Sequence, residues 1–182
     1  MFVLGHVGLT AGLLIVLVLA LQKVKVIKDP AWLYRIDLRM VVVLAMLPDI
    51  LDKLLGHVLL SEELNNGRIF AHSLLFLLVT SIMFGVSLRA WSWVYLLPVL
   101  THQLFDQMWK GLHTWLWPVF GFAFEKKDHD PWRLWLHELS DPYVIVTEAL
   151  GLLAIAIIFF YFRLYRKDNF LRGLKRGRLS PR

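Results

Sequence analysis

The chain has 182 residues, is 58% hydrophobic and contains no cysteine, and its mean hydropathy is +0.59. Such a composition points to a polytopic membrane protein without room for a large soluble domain. Without cysteine, disulfides and thiolate metal sites are excluded, so any metal must be held by imidazole and carboxylate. The formal net charge of +6 is gathered at the C-terminus, in Arg163, Arg166, Lys167, Arg172, Lys175, Arg176, Arg178 and Arg182. A basic tail after an apolar segment points to anionic lipid headgroups on the cytoplasmic side, and no nucleic-acid partner is expected.

Five apolar stretches of spanning length are read at about 3–21, 39–60, 69–88, 91–110 and 143–165. The expected fold is therefore all-α, with about five transmembrane helices in one domain over 1–167 and a loose basic tail over 168–182. Lys23, Lys25 and Lys28 follow the first stretch instead of preceding it, which argues against a cleaved signal peptide and for an N-terminus outside. The basic connection from Gln22 to Leu38 is then cytoplasmic, and the acidic, turn-like Ser61 to Gly67 lies outside. The short link around Ser87 to Ala90 is inside, the loop over 111–142 is outside and the C-terminus is cytoplasmic. The expected location is the inner membrane, crossed several times. Trp115, Trp117, Phe120, Phe122, Phe124, Trp132 and Trp135 crowd the outer loop, as in a segment lying in the headgroup layer or contacting substrate.

Within the second stretch, Leu47-Pro48-Asp49-Ile50-Leu51-Asp52 places two carboxylates where each costs roughly 2.5–3.5 kcal/mol on insertion scales. Three residues apart, they share one helical face. They become tolerable by sharing a proton, lining a wet cavity or holding a cation. On the expected topology, other polar residues fall at the same depth, in the outer half of the membrane. His6 is near the start of the first helix; Arg68 and His72 open the third, four apart; His102 and Asp106 are four apart on the fourth; Glu148 is about one turn into the fifth. Imidazoles and carboxylates from facing helices are how bundles build metal sites. His6, Asp49, Asp52, His72, His102 and Asp106 are the candidate ligands for a divalent metal, zinc first, with manganese, magnesium or iron as alternatives. Glu148 is a candidate ligand or general base, and Arg68 a candidate clamp for a phosphate or other oxyanion. Ser73 and Thr101 are read as donors behind the histidines, His57 and His113 as interfacial or as supports behind the ligands, and His129 and His137 as solvated.

At these residues the sequence resembles the YdjM-like, LexA-binding inner-membrane family of membrane-bound metal-dependent hydrolases. The likeness is carried by Gly5-His6, by Leu47-Pro48-Asp49 with Asp52, and by His102 to Asp106 followed by Leu116-Trp117-Pro118. Gly67-Arg68-Ile69-Phe70-Ala71-His72-Ser73 is similar to the family's His-Arg-Gly-x-Thr-His-Ser motif but lacks its first histidine and its threonine. The second aspartate also comes one residue later than in the Pro-Asp-Ile-Asp form. The resemblance spans roughly residues 5 to 118 and implies a hydrolase class.

The functional expectation is a membrane-embedded metal-dependent hydrolase acting on a lipid or amphiphilic phosphoester at the outer leaflet. The metal would activate water and polarise the scissile bond. The alternatives are a lipid ester or amide hydrolase, a non-enzymatic divalent-cation binder or transporter, and a structural membrane protein with a polar seam and no metal. Against a transporter, the inner halves of the helices lack the polar residues of a through-path.

Overall fold

The computed structural model describes residues 1–88, 92–127 and 130–179. Arg89, Ala90, Asp128, His129 and Arg182, which entered the charge and loop readings, lie outside the described residues. Among the described residues the elements are all helical: α1 Val3–Lys23, α2 Leu38–Lys53, α3 Leu74–Leu88, α4 Ser92–Phe105, α5 Leu112–Trp115, α6 Pro131–Glu138, α7 Pro142–Tyr161 and α8 Lys167–Arg176.

α1 and α7 are the two helices among the described residues that are long and apolar enough to cross a membrane. They lie parallel and in register: Gly5 faces Glu148, Gly8 faces Gly151 and Gly12 faces Ala154. At Gly8 and Gly151 the two backbones touch, so a Cβ on Gly8 would overlap the Gly151 carbonyl and one on Gly151 the Leu4 carbonyl. Small residues of this kind let apolar helices approach closely where no hydrophobic force separates protein from lipid. The outer face of α7 stays bare, with Ile145, Leu152 and Ile157 all more than half exposed.

The expectation of about five spans is corrected to two candidates. Helices exist near the other three positions, but each is cut short for a physical reason. α2 carries Asp49, Asp52 and Lys53 and is α-helical only to Lys53, where it rewinds as a π-helix over Leu54–Leu59. α3 begins at Leu74, because Phe70–His72 is a separate 3-10 turn and the Ser73 hydroxyl accepts the Phe76 N–H at 3.1 Å as a cap. The apolar part of α3 is Leu74–Val86. α4 has 14 residues and ends before Gln107, whose left-handed φ of 54° breaks the helical path.

α2 starts beside α8, at the C-terminal end of α7. It runs back so that Asp49 and Asp52 arrive near the N-terminal end of α1; α3 leaves from His72 and α4 returns to Asp106. The buried apolar core lies at the α8 end, where Leu14, Val18, Leu33, Ile36, Val41, Val94 and Phe162 pack together. The tail, expected to be loose, is helical over Lys167–Arg176 and docked. Arg39 forks onto the Asp37 carboxylate at 2.7 and 3.1 Å and donates to the Lys175 carbonyl at 2.8 Å. The Leu38 N–H donates to the Gly177 carbonyl at 2.7 Å. The hydrogen bond from Arg39 holds the Asp37 carboxyl below its usual range, so Asp37 remains an ionised cap for α2 in mild acid. Gly177 has φ +67°, and a Cβ there would strike the Asp37 carboxylate, which is why this C-cap is glycine.

Candidate metal centre

Two imidazoles define the centre. The Asp52 side chain, fully buried, accepts three backbone N–H groups: Ile69 at 2.7 Å, Ala71 at 2.9 Å and His72 at 3.1 Å. These bonds fold residues 69–72 into their 3-10 turn against α2. The same carboxylate also takes the His72 Nδ1–H at 2.7 Å. On α4, His102 Nδ1 lies 2.7 Å from the Ala45 carbonyl, an oxygen that can only accept. That carbonyl sits beside the break that Pro48, lacking an N–H, makes in the α2 ladder. Both Nδ1 atoms therefore carry a proton, and in the neutral tautomers both Nε2 atoms turn lone pairs inward, 3.2 Å apart.

Two carboxylates complete the cluster. Asp49 Oδ1 lies 3.7 Å from His72 Nε2 and 3.9 Å from His102 Nε2; Asp106 Oδ2 lies 3.6 Å from His72 Nε2. One donor atom from each of Asp49, His72, His102 and Asp106 falls within 4.8 Å of every other, and all four residues are buried. Nitrogen and oxygen ligands about 2.0–2.2 Å from a shared zinc ion would stand roughly 3.3–3.6 Å apart in a tetrahedron. The observed separations lie near that range. In those tautomers two facing lone pairs walled by carboxylates repel unless a positive charge sits among them, a place that a divalent cation fits. Fastening each histidine by its far nitrogen is how metal sites orient imidazoles.

The other singled-out residues take distinct places. His6 is fully buried, its ring stacked on His102 with centroids 3.9 Å apart. Its Nε2 is 3.1 Å from Asp106 Oδ1 but off the hydrogen-bonding direction, and neither ring nitrogen has a hydrogen-bond partner. Such an orphaned imidazole at the cluster edge is a further donor available to a cation. Asp52 stands behind His72, with both oxygens engaged. Arg68 lies in the loop before the 3-10 turn, outside any helix, and its guanidinium reaches Asp106 Oδ2 at 3.0 and 3.1 Å. Asp106 is the residue just past α4, still one turn from His102 through its N–H to the His102 carbonyl at 2.9 Å. Glu148 is not brought to the cluster. Its oxygens accept the Phe2, Leu4 and Gly5 N–H groups at 2.8, 3.0 and 3.1 Å, satisfying the open end of α1. Ser73 caps α3, and the Thr101 hydroxyl pairs with Thr10 at 2.9 Å. His57 faces Asn65 at 3.1 Å, while His113 and His137 are exposed.

Three contributors escaped the sequence reading. Lys53 pairs with Asp49 Oδ2 at 2.8 Å, a partner that its i,i+4 spacing could have disclosed. Gln103 donates to the Ser73 carbonyl at 3.0 Å and accepts the Trp115 indole N–H at 3.0 Å, clamping the His72 turn from the far side. The Ala45 carbonyl has no side-chain signal at all. Beyond Asp106 a cavity of about 360 Å³ opens, lined among others by Arg68, Lys110, Lys127, Tyr143 and Val144. Because Val144 is in the first turn of α7 and His6 in the first turns of α1, the centre lies near the N-terminal ends of both candidate spans.

An all-α fold with, among the described residues, two helices long and apolar enough to cross a membrane and a buried two-histidine, two-aspartate cluster defines a membrane-associated protein with a metal-binding type of centre. The chain belongs to the YdjM inner membrane protein family, whose model matches residues 1–170. No curated protein and no solved structure matches it. The family match extends the likeness read from Gly5-His6 and Leu47-Pro48-Asp49 over most of the chain.

Proposed function

We propose that this protein is a metal-dependent hydrolase that acts on an amphiphilic phosphoester at the membrane interface. The observation that carries this reading is the pair of Nε2 atoms, 3.2 Å apart, with Asp49 and Asp106 around them. Asp49, His72, His102 and Asp106 would hold the ion, with His6 beside them; zinc suits this donor set best, and manganese, iron or magnesium follow. A bound divalent ion supplies Lewis-acid polarisation of the scissile bond and activation of water near neutral pH.

Charge supports a phosphoester. The side chains of Asp49, Asp52 and Asp106 against Lys53 and Arg68 leave one net negative charge, which a divalent cation turns into one net positive charge. Arg68, half-exposed at the cavity, offers a planar fork suited to phosphate oxygens, while Lys110 and Lys127 offset Glu125 and Glu138 on the same cavity wall. Position supports an amphiphile. The cavity opens at the N-terminal ends of α1 and α7, where a headgroup arrives without crossing hydrocarbon. The basic residues Lys23, Lys25, Lys28, Arg163 and Arg166 gather at the other end, and under the positive-inside rule this supports a cytoplasmic location for that end and an external one for the cavity.

The test is turnover by metal-loaded protein on a panel of lipid phosphoesters, lipid carboxyl esters and water-soluble phosphoesters. Arg68→Ala is expected to lower kcat/KM on the lipid phosphoester by roughly 10²–10³, the scale of one lost transition-state donor, with bound metal retained. Unchanged turnover in Arg68→Ala, or equal activity on water-soluble phosphoesters, overturns the reading. Preference for a carboxyl ester would move the protein to the lipid esterases.

A further inference from the structure

At the end of the molecule opposite the metal centre, α8 is fastened across the start of α2. The Asp37–Arg39–Lys175 network and the Leu38–Gly177 hydrogen bond set its position. Between the two helices runs an apolar groove walled by Leu38, Val42, Leu164, Phe170, Leu174 and Leu179, with Arg39 at its rim. Phe170 is 50% exposed and Leu174 61% exposed, although both face a groove rather than open water. On a helical projection Phe170, Gly173 and Leu174 share one face, and Arg172, Lys175 and Arg176 share the opposite one. The latter three side chains also line a shallow concavity with Leu171.

We propose that this groove is a binding site for an anionic phospholipid of the leaflet opposite the metal centre. One acyl chain lies between α2 and α8, and the headgroup reaches round α8 to the concavity of Arg172, Lys175 and Arg176. Two features select this occupant. The groove walls continue the exposed apolar surface of α2, where Val42 and Val43 are 39% and 50% exposed, and α8 lies where the candidate span α7 ends. The charge of α8 is complementary to an anionic headgroup, with Lys167, Arg172, Lys175 and Arg176 against the single Asp168. A short basic amphipathic helix next to a span is the geometry that lies in the headgroup layer. The role is independent of the metal centre and of what that centre hydrolyses.

The test titrates the full-length protein in detergent with dioleoyl phosphatidylglycerol or dioleoyl phosphatidylcholine and counts bound lipid by native mass spectrometry. Each basic residue near an anionic lipid surface strengthens binding about fivefold, so three of them set a scale of about a hundredfold. Wild type is expected to prefer phosphatidylglycerol at least tenfold, and the triple variant Arg172→Gln, Lys175→Gln, Arg176→Gln to bind both lipids alike. Because the triple variant could lose the α8 joint, a second measurement keeps the helix intact. Phe170→Trp places an indole in the groove, where phosphatidylglycerol brominated on its acyl chain must quench it beyond the wild-type background. Equal affinity of wild type for the two lipids, a preference that survives the triple variant, no added quenching at Trp-substituted position 170, or a dimer that fills the groove without lipid each overturns the proposal.

Discussion

Replacing Asp52 by asparagine separates holding the metal from holding a ligand in place. The carboxylate has four donors around it: Oδ2 takes Ile69 N–H, His72 N–H and His72 Nδ1–H, and Oδ1 takes Ala71 N–H. Asparagine keeps one oxygen. Placed at the Oδ2 position, it retains three bonds and points its amide hydrogens at the Ala71 N–H; placed at Oδ1, it forfeits three. The first arrangement is the cheaper and leaves one buried donor unpaired, a cost of about 1–3 kcal/mol. The His72 ring stays fastened but against a neutral acceptor, so its Nε2 is a weaker donor. Loss of such a partner behind a ligand lowers metal affinity about 10–100-fold, or about 1.4–2.7 kcal/mol. The assay is zinc competition against a chromophoric chelator on purified protein, with thermal unfolding recorded in parallel. Asp52→Asn is expected to bind 10–100-fold more weakly and melt a few degrees lower, while Asp49→Asn, which replaces an anionic donor of the cluster by a neutral one, loses more. Wild-type affinity in Asp52→Asn would refute the positioning role. A loss equal to that of Asp49→Asn would make Asp52 a ligand in its own right.

Further expectations rest on single contacts. His102→Ala and Asp106→Ala should each lower bound metal at least tenfold by elemental analysis, while exposed His113→Ala leaves it unchanged; equal metal in all three would remove the first two from the ligand set. Glu148→Gln should lower the melting temperature, because the three N–H groups at the start of α1 lose a charged acceptor worth about 0.5–2 kcal/mol, yet leave metal stoichiometry intact. Gly151→Leu should separate α1 from α7, since even a Cβ overlaps the Leu4 carbonyl. His6, one residue beyond Gly5, then moves from His102, and both melting temperature and metal affinity should fall; wild-type values would show that the close approach is dispensable.

The all-helical class and the family were determined by the sequence alone: long apolar runs can satisfy their backbone in lipid only as helices, and Leu47-Pro48-Asp49 with Gly5-His6 carries the family likeness. Residue type and depth also singled out Asp49, His72, His102 and Asp106, the four that the fold draws within 4.8 Å, because buried charge without a partner is too costly to be incidental. Spacing along a helix, however, reports only which side chains share a face, and several roles turn on distances between helices. Asp52 stands three residues from Asp49 and is indistinguishable from it in sequence; only the return of residues 69–72 against α2 gives it four donors to hold. Glu148 looked like part of the centre until the parallel packing of α1 and α7 laid the open end of α1 upon it. Hydropathy counted five spans because it averages over Asp49 and Lys53 and ignores the caps at Ser73 and Gln107. Those backbone breaks depend on tertiary hydrogen bonds and local φ, ψ, so the number of helices fit to cross a membrane was decided by the structure.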